Sequence, residues 1–170
     1  FLLDDVFQPA PIAVDILNEL GDPFFTTELA QFNLEFNLEP LLFNSDCLSM
    51  METRIDQLLG KVRRAAHKLN AEVLQTGILP TLSKQDLHLG NMTPLPRYHA
   101  LNEAMTRMRG GDYEFQIKGV NELVIKHESV MLEDCNTSFQ IHFQVDPAEF
   151  PKFYNIAQVV TAPVLAIATN

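Results

Sequence analysis

The sequence predicts an α+β domain: an antiparallel sheet with helices packed on one of its faces. Three observations carry that expectation. Residues 31–39 alternate without error, with Gln31, Asn33, Glu35, Asn37 and Glu39 on one face of a strand and Phe32, Leu34, Phe36 and Leu38 on the other. Residues 138–145 repeat the pattern, Ser138, Gln140, His142 and Gln144 against Phe139, Ile141, Phe143 and Val145. Between these stretches lie segments of helical period. The longest carries Ile55, Leu58, Leu59, Val62, Ala66 and Leu69 on one stripe.

Taken in order, Phe1-Leu2-Leu3-Asp4 reads as the end of a strand. Gln8-Pro9-Ala10-Pro11 is a turn, and Pro11 is placed to open a helix over about residues 12–20, which Gly21-Asp22-Pro23 stops. The first polar-faced strand follows and Pro40 closes it. The long helix is expected over residues 49–69, with Ser49 and Glu52 spaced as a capping box. Arg63, Arg64, His67 and Lys68 lie near its C-terminal end, where cations suit the helix dipole; a solvated face is the plainer account of them than a basic patch. Residues 72–78 read as a buried strand and residues 79–95 as a long loop, with His88 a loop histidine. Pro96-Arg97-Tyr98 opens a helix over about residues 99–109 that Gly110-Gly111 ends. Residues 113–118 and 123–127 read as strands joined by a turn at Gly119-Val120-Asn121-Glu122, and residues 129–133 read as another strand or a continuation of the second. Asp146 and Pro147 start a last helix with Phe150, Phe153, Ile156 and Val160 at helical spacing, which Pro163 is expected to kink or divide.

A chain of 170 residues, 46% apolar and 20% charged, suits one globular domain with a sizeable core. Its net charge of −10, from 12 basic and 22 acidic residues, argues against nucleic acid as a partner. No apolar run reaches membrane-spanning length, since Pro163 breaks the stretch at residues 159–168. Phe1-Leu2-Leu3 runs straight into Asp4-Asp5 and does not make a signal peptide. Cys47 and Cys135 have no framework spacing, so reduced thiols in a cytoplasmic protein are the expectation. The chain opens in mid-strand without Met, and it reads as an incomplete fragment of a larger domain.

The two polar faces are where chemistry is expected. The first carries no Lys, Arg, Ser or Thr; it is a row of carboxylates and carboxamides. Hard cations such as Mg²⁺ take oxygen ligands, usually one or two carboxylates completed by water and substrate phosphates. If both strands share a sheet, their apolar faces bury together under the helices and their polar faces form a common floor of Glu, Gln, Asn and His. The plainer alternative is two ordinary amphipathic strands with solvated outer faces.

These residues resemble a known family. Glu28 and Glu35, seven positions apart within Glu-Leu-Ala-Gln-Phe-Asn-Leu-Glu, resemble the acidic strand of glutamate–cysteine ligases and related carboxylate–amine ligases. Pro96-Arg97-Tyr98-His99-Ala100-Leu101 is similar to the family's Pro-Arg-Tyr segment before a helix. Residues 138–146 resemble its following strand, with Gln140 and His142 a mixture of that family's His-x-His and Gln-x-Asn pairs. The resemblance runs from about Pro23 to Asn170.

It implies a glutamine synthetase-like fold and ATP- and Mg²⁺-dependent formation of a γ-glutamyl amide through an acyl phosphate. It implies glutamate as substrate, cysteine as the default amine, and glutathione biosynthesis as the setting. Glu28, Glu35 and Gln140 are then the metal ligands, with Gln140 and Asn33 contacting the cofactor. Arg97 is the partner of a substrate carboxylate, and His142 contacts metal or substrate. The family's Glu-x-Glu strand lies before Phe1 on this reading, and its nucleotide-binding half begins near Ala168-Thr169-Asn170. The alternative is a non-catalytic ligand-binding or regulatory domain of the same fold. In a strict strand, seven residues put Glu28 and Glu35 on opposite faces, so Glu28 must precede the strand or a bulge must intervene near Leu29-Ala30.

Overall fold

A computed structural model describes residues 1–168, and for Cys135 the main chain alone. Thr169 and Asn170, which the resemblance places at the start of a further segment, lie outside the described residues. The strands are β1 (Leu2–Leu3), β2 (Phe25–Thr27), β3 (Leu34–Phe36), β4 (Glu72–Val73), β5 (Tyr113–Lys118) and β6 (Glu122–His127). The helices are α1 (Ala13–Leu20), α2 (Cys47–Lys68), α3 (Pro96–Arg109) and α4 (Phe150–Ile167).

The class is α+β, as the patterning predicts. In place of one continuous sheet, however, the described strands form three antiparallel pairs: β1 with β4, β2 with β3, and β5 with β6. Two apolar clusters hold them together, and β1 separates the two. Successive residues of a strand point to opposite sides. Leu2 therefore joins Ala13, Ile16, Phe25, Leu58, Leu59 and Val62, while Leu3 joins Leu29, Phe32, Leu87, Met92 and Met131. Helices α1 and α2 cover the first cluster. The loop at residues 79–95 and the segment after β6 close over the second.

Local chemistry explains most helix ends. Gly21 adopts a left-handed conformation (φ 55°) and its N–H bonds to the Leu17 carbonyl, ending α1. Gly110 does the same for α3 at φ 75°, bonding to Thr106. Helix α2 begins at Cys47, two residues before the expected capping box; Asp46 precedes it and no side chain caps it. Lys61 and Lys68 on α2 pair with Asp22 and Glu19, which fits a solvated face better than a basic patch.

Four expectations need correction. Residues 31–33 are a turn, not strand, because consecutive Phe32 and Asn33 are both buried, and only Leu34–Phe36 pairs. The expected strand at 72–78 is limited to Glu72–Val73, since β1 offers it only two partners. Residues 129–133 form part of a 3₁₀ turn (Val130–Cys135), whose start is held by Met131 N–H donating to Ser129 Oγ at 3.3 Å. Residues 138–145, the expected second polar strand, have no ladder partner among the described residues and run as coil. Phe139 and Phe143 are 68% and 63% exposed, so the apolar face that would anchor such a strand is not covered. Pro163 sits inside α4, which continues through it.

Candidate functional site

The site is built on the β2–β3 hairpin. Its register pairs Phe25 with Phe36, Thr26 with Glu35, and Thr27 with Leu34. Cross-strand partners share a face, and so do residues two apart along a strand. Thr26, Glu35 and Glu28 therefore project to the same side, with Glu28 diagonal to Glu35. The conflict posed by seven-residue spacing is resolved by a chain reversal: Glu28 precedes the strand that carries Glu35.

Residues 28–33, which link the two strands, are tied down from several directions. Gln31 N–H donates to the Asn91 carbonyl at 2.8 Å, and Gln31 Nε2 reaches the carbonyls of Gly90 and Met92, each at 3.1 Å. Thr93 bonds twice to this segment, its N–H to the Leu29 carbonyl at 2.8 Å and its Oγ1 to the Glu28 carbonyl at 2.6 Å. From the N-terminal side, Leu2 N–H donates to the Phe32 carbonyl at 2.8 Å. The turn is thus fixed by the loop after β4 on one side and by β1 on the other.

Glu28 is half-buried. Its Oε2 accepts from Leu29 N–H at 3.1 Å. Burial, followed by a carboxyl–carboxyl hydrogen bond with Glu35 and the charge of Glu35, raises its pKa, while Leu29 N–H and the Arg97 guanidinium oppose the rise. Glu35 Oε1 also accepts from Asn37 Nδ2 at 3.0 Å. Neither carboxylate makes an ion pair among the described residues.

Arg97, in the first turn of α3, donates from Nη2 to Tyr98 Oη at 2.7 Å and to Thr27 Oγ1 at 3.3 Å. Its guanidinium lies 4.6 Å from the Tyr98 ring centre. Tyr98 Oη in turn donates to the Thr27 carbonyl at 3.0 Å. Arg97 and Thr27 line an open cleft of about 670 Å³, between the end of α1, β2 and the start of α3. An exposed, oriented guanidinium is suited to bind a carboxylate or phosphate in that cleft.

Of the residues singled out in the sequence, the fold brings together Glu28, Glu35 and Arg97. Asn33 is only 3% exposed, and its Nδ2 donates to the Asp134 carbonyl at 3.3 Å. It is a strut of the turn rather than a side chain on an open polar face. Gln140 and His142 do not join the pair through a common sheet, since residues 138–145 form no strand. Gln140 is exposed and donates to Ser138 Oγ at 3.2 Å. His88 Nδ1 accepts from Gly90 N–H at 3.0 Å, a local loop contact. Among the described residues, no group of three or more His, Cys, Asp or Glu side chains is arranged to hold a metal ion.

One acidic residue was not legible as part of the site. Asp134, 4% exposed, accepts from Ala30 N–H through Oδ1 at 3.2 Å. Burial raises its pKa to about 7, with the Glu28 and Glu133 charges adding to the rise and the Ala30 N–H opposing it. In the sequence Asp134 belongs to Asp134-Cys135-Asn136, which leads into the expected second polar-faced strand, and only long-range folding puts it under Ala30. No helix among the described residues is long and apolar enough to cross a membrane.

Comparison with known proteins adds a family. The model for Glutamate-cysteine ligase family 2 (GCS2) matches residues 4–170. No curated protein and no solved structure matches the chain significantly.

Proposed function

The chain belongs to glutamate-cysteine ligase family 2, and on that footing we propose that it carries part of the site of an ATP- and Mg²⁺-dependent carboxylate–amine ligase that forms a γ-glutamyl amide. The observation that carries this reading is the meeting of Glu28 and Glu35 on one face of the hairpin, beside a cleft edged by Arg97.

The donor set fits the expected ion. Mg²⁺ commonly takes one or two protein carboxylates and completes its shell with water and phosphate oxygens, so it does not need a three-residue protein cage. Two adjacent carboxylates are stabilised as anions when a divalent cation lies between them. When bound, Mg²⁺–ATP would supply the phosphoryl group that activates the glutamate γ-carboxylate as an acyl phosphate, from whose acyl carbon the amine would displace phosphate to form the amide.

In this reading Glu28 and Glu35 hold the cation, so that an acidic chain can accept a polyphosphate. Arg97 orients a substrate carboxylate, its own position set by Tyr98 and Thr27. Positioning and charge neutralisation are what such a transfer requires of the protein. Glutamate as substrate, cysteine as the amine, and a cytoplasmic setting that provides ATP belong to the same reading.

A second reading, a non-catalytic domain of the same family, is favoured by one observation: Gln140 and His142 lie on a segment that forms no strand and so share no sheet with the carboxylate pair. Calorimetric titration with Mg²⁺–ATP tests both. The ligase reading expects binding by the wild type and loss of it in Glu35→Ala. Binding without γ-glutamyl amide formation from glutamate and cysteine supports the second reading. Absence of binding at millimolar ATP removes the first.

A further inference from the structure

Three observations converge on Asp134. It lies 104 residues from Ala30 in the chain, yet its Oδ1 accepts the Ala30 N–H in a buried hydrogen bond of 3.2 Å. Its main-chain carbonyl accepts from Asn33 Nδ2 at 3.3 Å, also buried. One residue therefore grips both ends of the four-residue turn, from Ala30 to Asn33. Glu28 lies two residues before that turn and Glu35 two residues after it.

The third observation concerns what is left over. Asp134 Oδ2 and Asn33 Oδ1 are both buried and have no hydrogen-bond partner among the described residues. Unpaired buried acceptors are uncommon, because each has given up water for nothing. The ionisable groups that act on Asp134 are Glu28, two residues before the turn, and Glu133, from its own segment; both are acidic and neither can donate when ionised. Burial, with these two acidic neighbours, raises the proton affinity of Asp134, and Oδ1 accepts the Ala30 N–H whether or not the carboxyl is ionised.

We infer that Asp134 is the positioning residue of the carboxylate pair, acting as a clamp on the Ala30–Asn33 turn that sets where Glu28 and Glu35 meet. The inference rests on the reading of that pair as a Mg²⁺–ATP site and adds to it a residue outside the resemblance to the family.

Two substitutions separate a clamp from a plain core residue. Asp134→Asn keeps an acceptor for Ala30 N–H and removes the ionisable carboxyl. Asp134→Leu keeps similar bulk and removes the acceptor. Measured by calorimetric titration with Mg²⁺–ATP on protein whose circular dichroism matches wild type, Asp134→Leu is expected to weaken binding by about tenfold or more, the usual scale for groups that orient ligands. Asp134→Asn is expected to bind within about threefold of wild type, well short of that orienting effect.

Equal affinity of Asp134→Leu and wild type overturns the inference, and so does Asp134→Asn as weak as Asp134→Leu, since the acceptor for Ala30 N–H would then not be what matters. If wild type does not bind Mg²⁺–ATP, the ligase reading fails, and amide hydrogen exchange decides the clamp by itself. The Ala30 amide should be protected in wild type and in Asp134→Asn, and should exchange faster in Asp134→Leu. An unprotected Ala30 amide in wild type overturns the clamp without any variant, which also covers the case in which Asp134→Leu does not fold.

Discussion

Glu28 and Glu35 meet carboxyl to carboxyl across the β2–β3 hairpin, and this contact, together with burial, raises the proton affinity of Glu28. Replacing Glu35 by Gln removes the neighbouring charge and offers an amide donor in its place. The Glu28 carboxyl should then titrate at lower pH than in wild type, although burial still holds it up. Carbon-detected NMR titration of the glutamate carboxyls measures this directly, and an unchanged Glu28 midpoint would show that the two side chains do not interact.

Stability should depend on pH through Asp134. In the folded chain it keeps its proton up to about 7, against an ordinary 3.8. Between those values the folded state holds a proton that the unfolded state has released. The stabilisation is complete below about pH 4 and is lost as pH rises through about 7, amounting to on the order of 4 kcal/mol between the two limits. Urea unfolding at pH 5 and pH 8 should give a lower stability at pH 8, and Asp134→Asn should flatten that part of the dependence. Equal stability of wild type at the two pH values contradicts the assignment.

Tyr98 joins α3 to the hairpin, since its hydroxyl bonds to the Thr27 carbonyl and receives the Arg97 guanidinium. Tyr98→Phe should lower stability by about 1 kcal/mol, the net worth of an ordinary hydrogen bond. It should also release Arg97 from its fixed orientation. Denaturant unfolding reads the first effect. The second is seen in the Arg97 side-chain NMR signal, which should lose its distinct chemical shift and approach that of a free arginine.

Phe32 is fully buried in the cluster that includes Leu3, Leu29 and Met92. Phe32→Ala should cost about 3–5 kcal/mol, as expected for deletion of a buried aromatic ring whose site cannot fully collapse. Because Phe32 lies between Glu28 and Glu35 in the chain, this variant also tests whether the carboxylate pair survives loosening of its turn. A loss below about 1 kcal/mol in urea unfolding would place Phe32 outside the core.

Gly21 ends α1 with φ 55° and has open space where a side chain would go. Gly21→Ala meets no neighbour, so its cost comes from the backbone alone, about 1 kcal/mol. The thermal midpoint should fall by a few degrees, and no change would show that α1 does not end in the left-handed cap.

By itself the sequence determined the features that depend on neighbours a few residues apart. Gly21 and Gly110 end helices because glycine reaches positive φ at little cost, and the apolar stripe Leu58, Leu59, Val62 and Ala66 buries one face of α2. The β5–β6 hairpin follows from short-range alternation around a turn. The pairing of Glu28 with Glu35 was foreshadowed in type and left open in geometry.

Tertiary structure decided the rest, because strand formation and burial are set by distant partners. Residues 31–39 alternate throughout, yet Gln31 to Asn33 turn, since Asn91, Leu2 and Asp134 take up their hydrogen bonds. Residues 138–145 alternate equally well and form no strand, because alternation provides two faces but not the neighbouring backbone that a ladder needs. Asp134, separated from the turn by about a hundred residues, has no local signature of its role. Its meaning comes from burial beneath Ala30 and from the two acidic groups that act on it there.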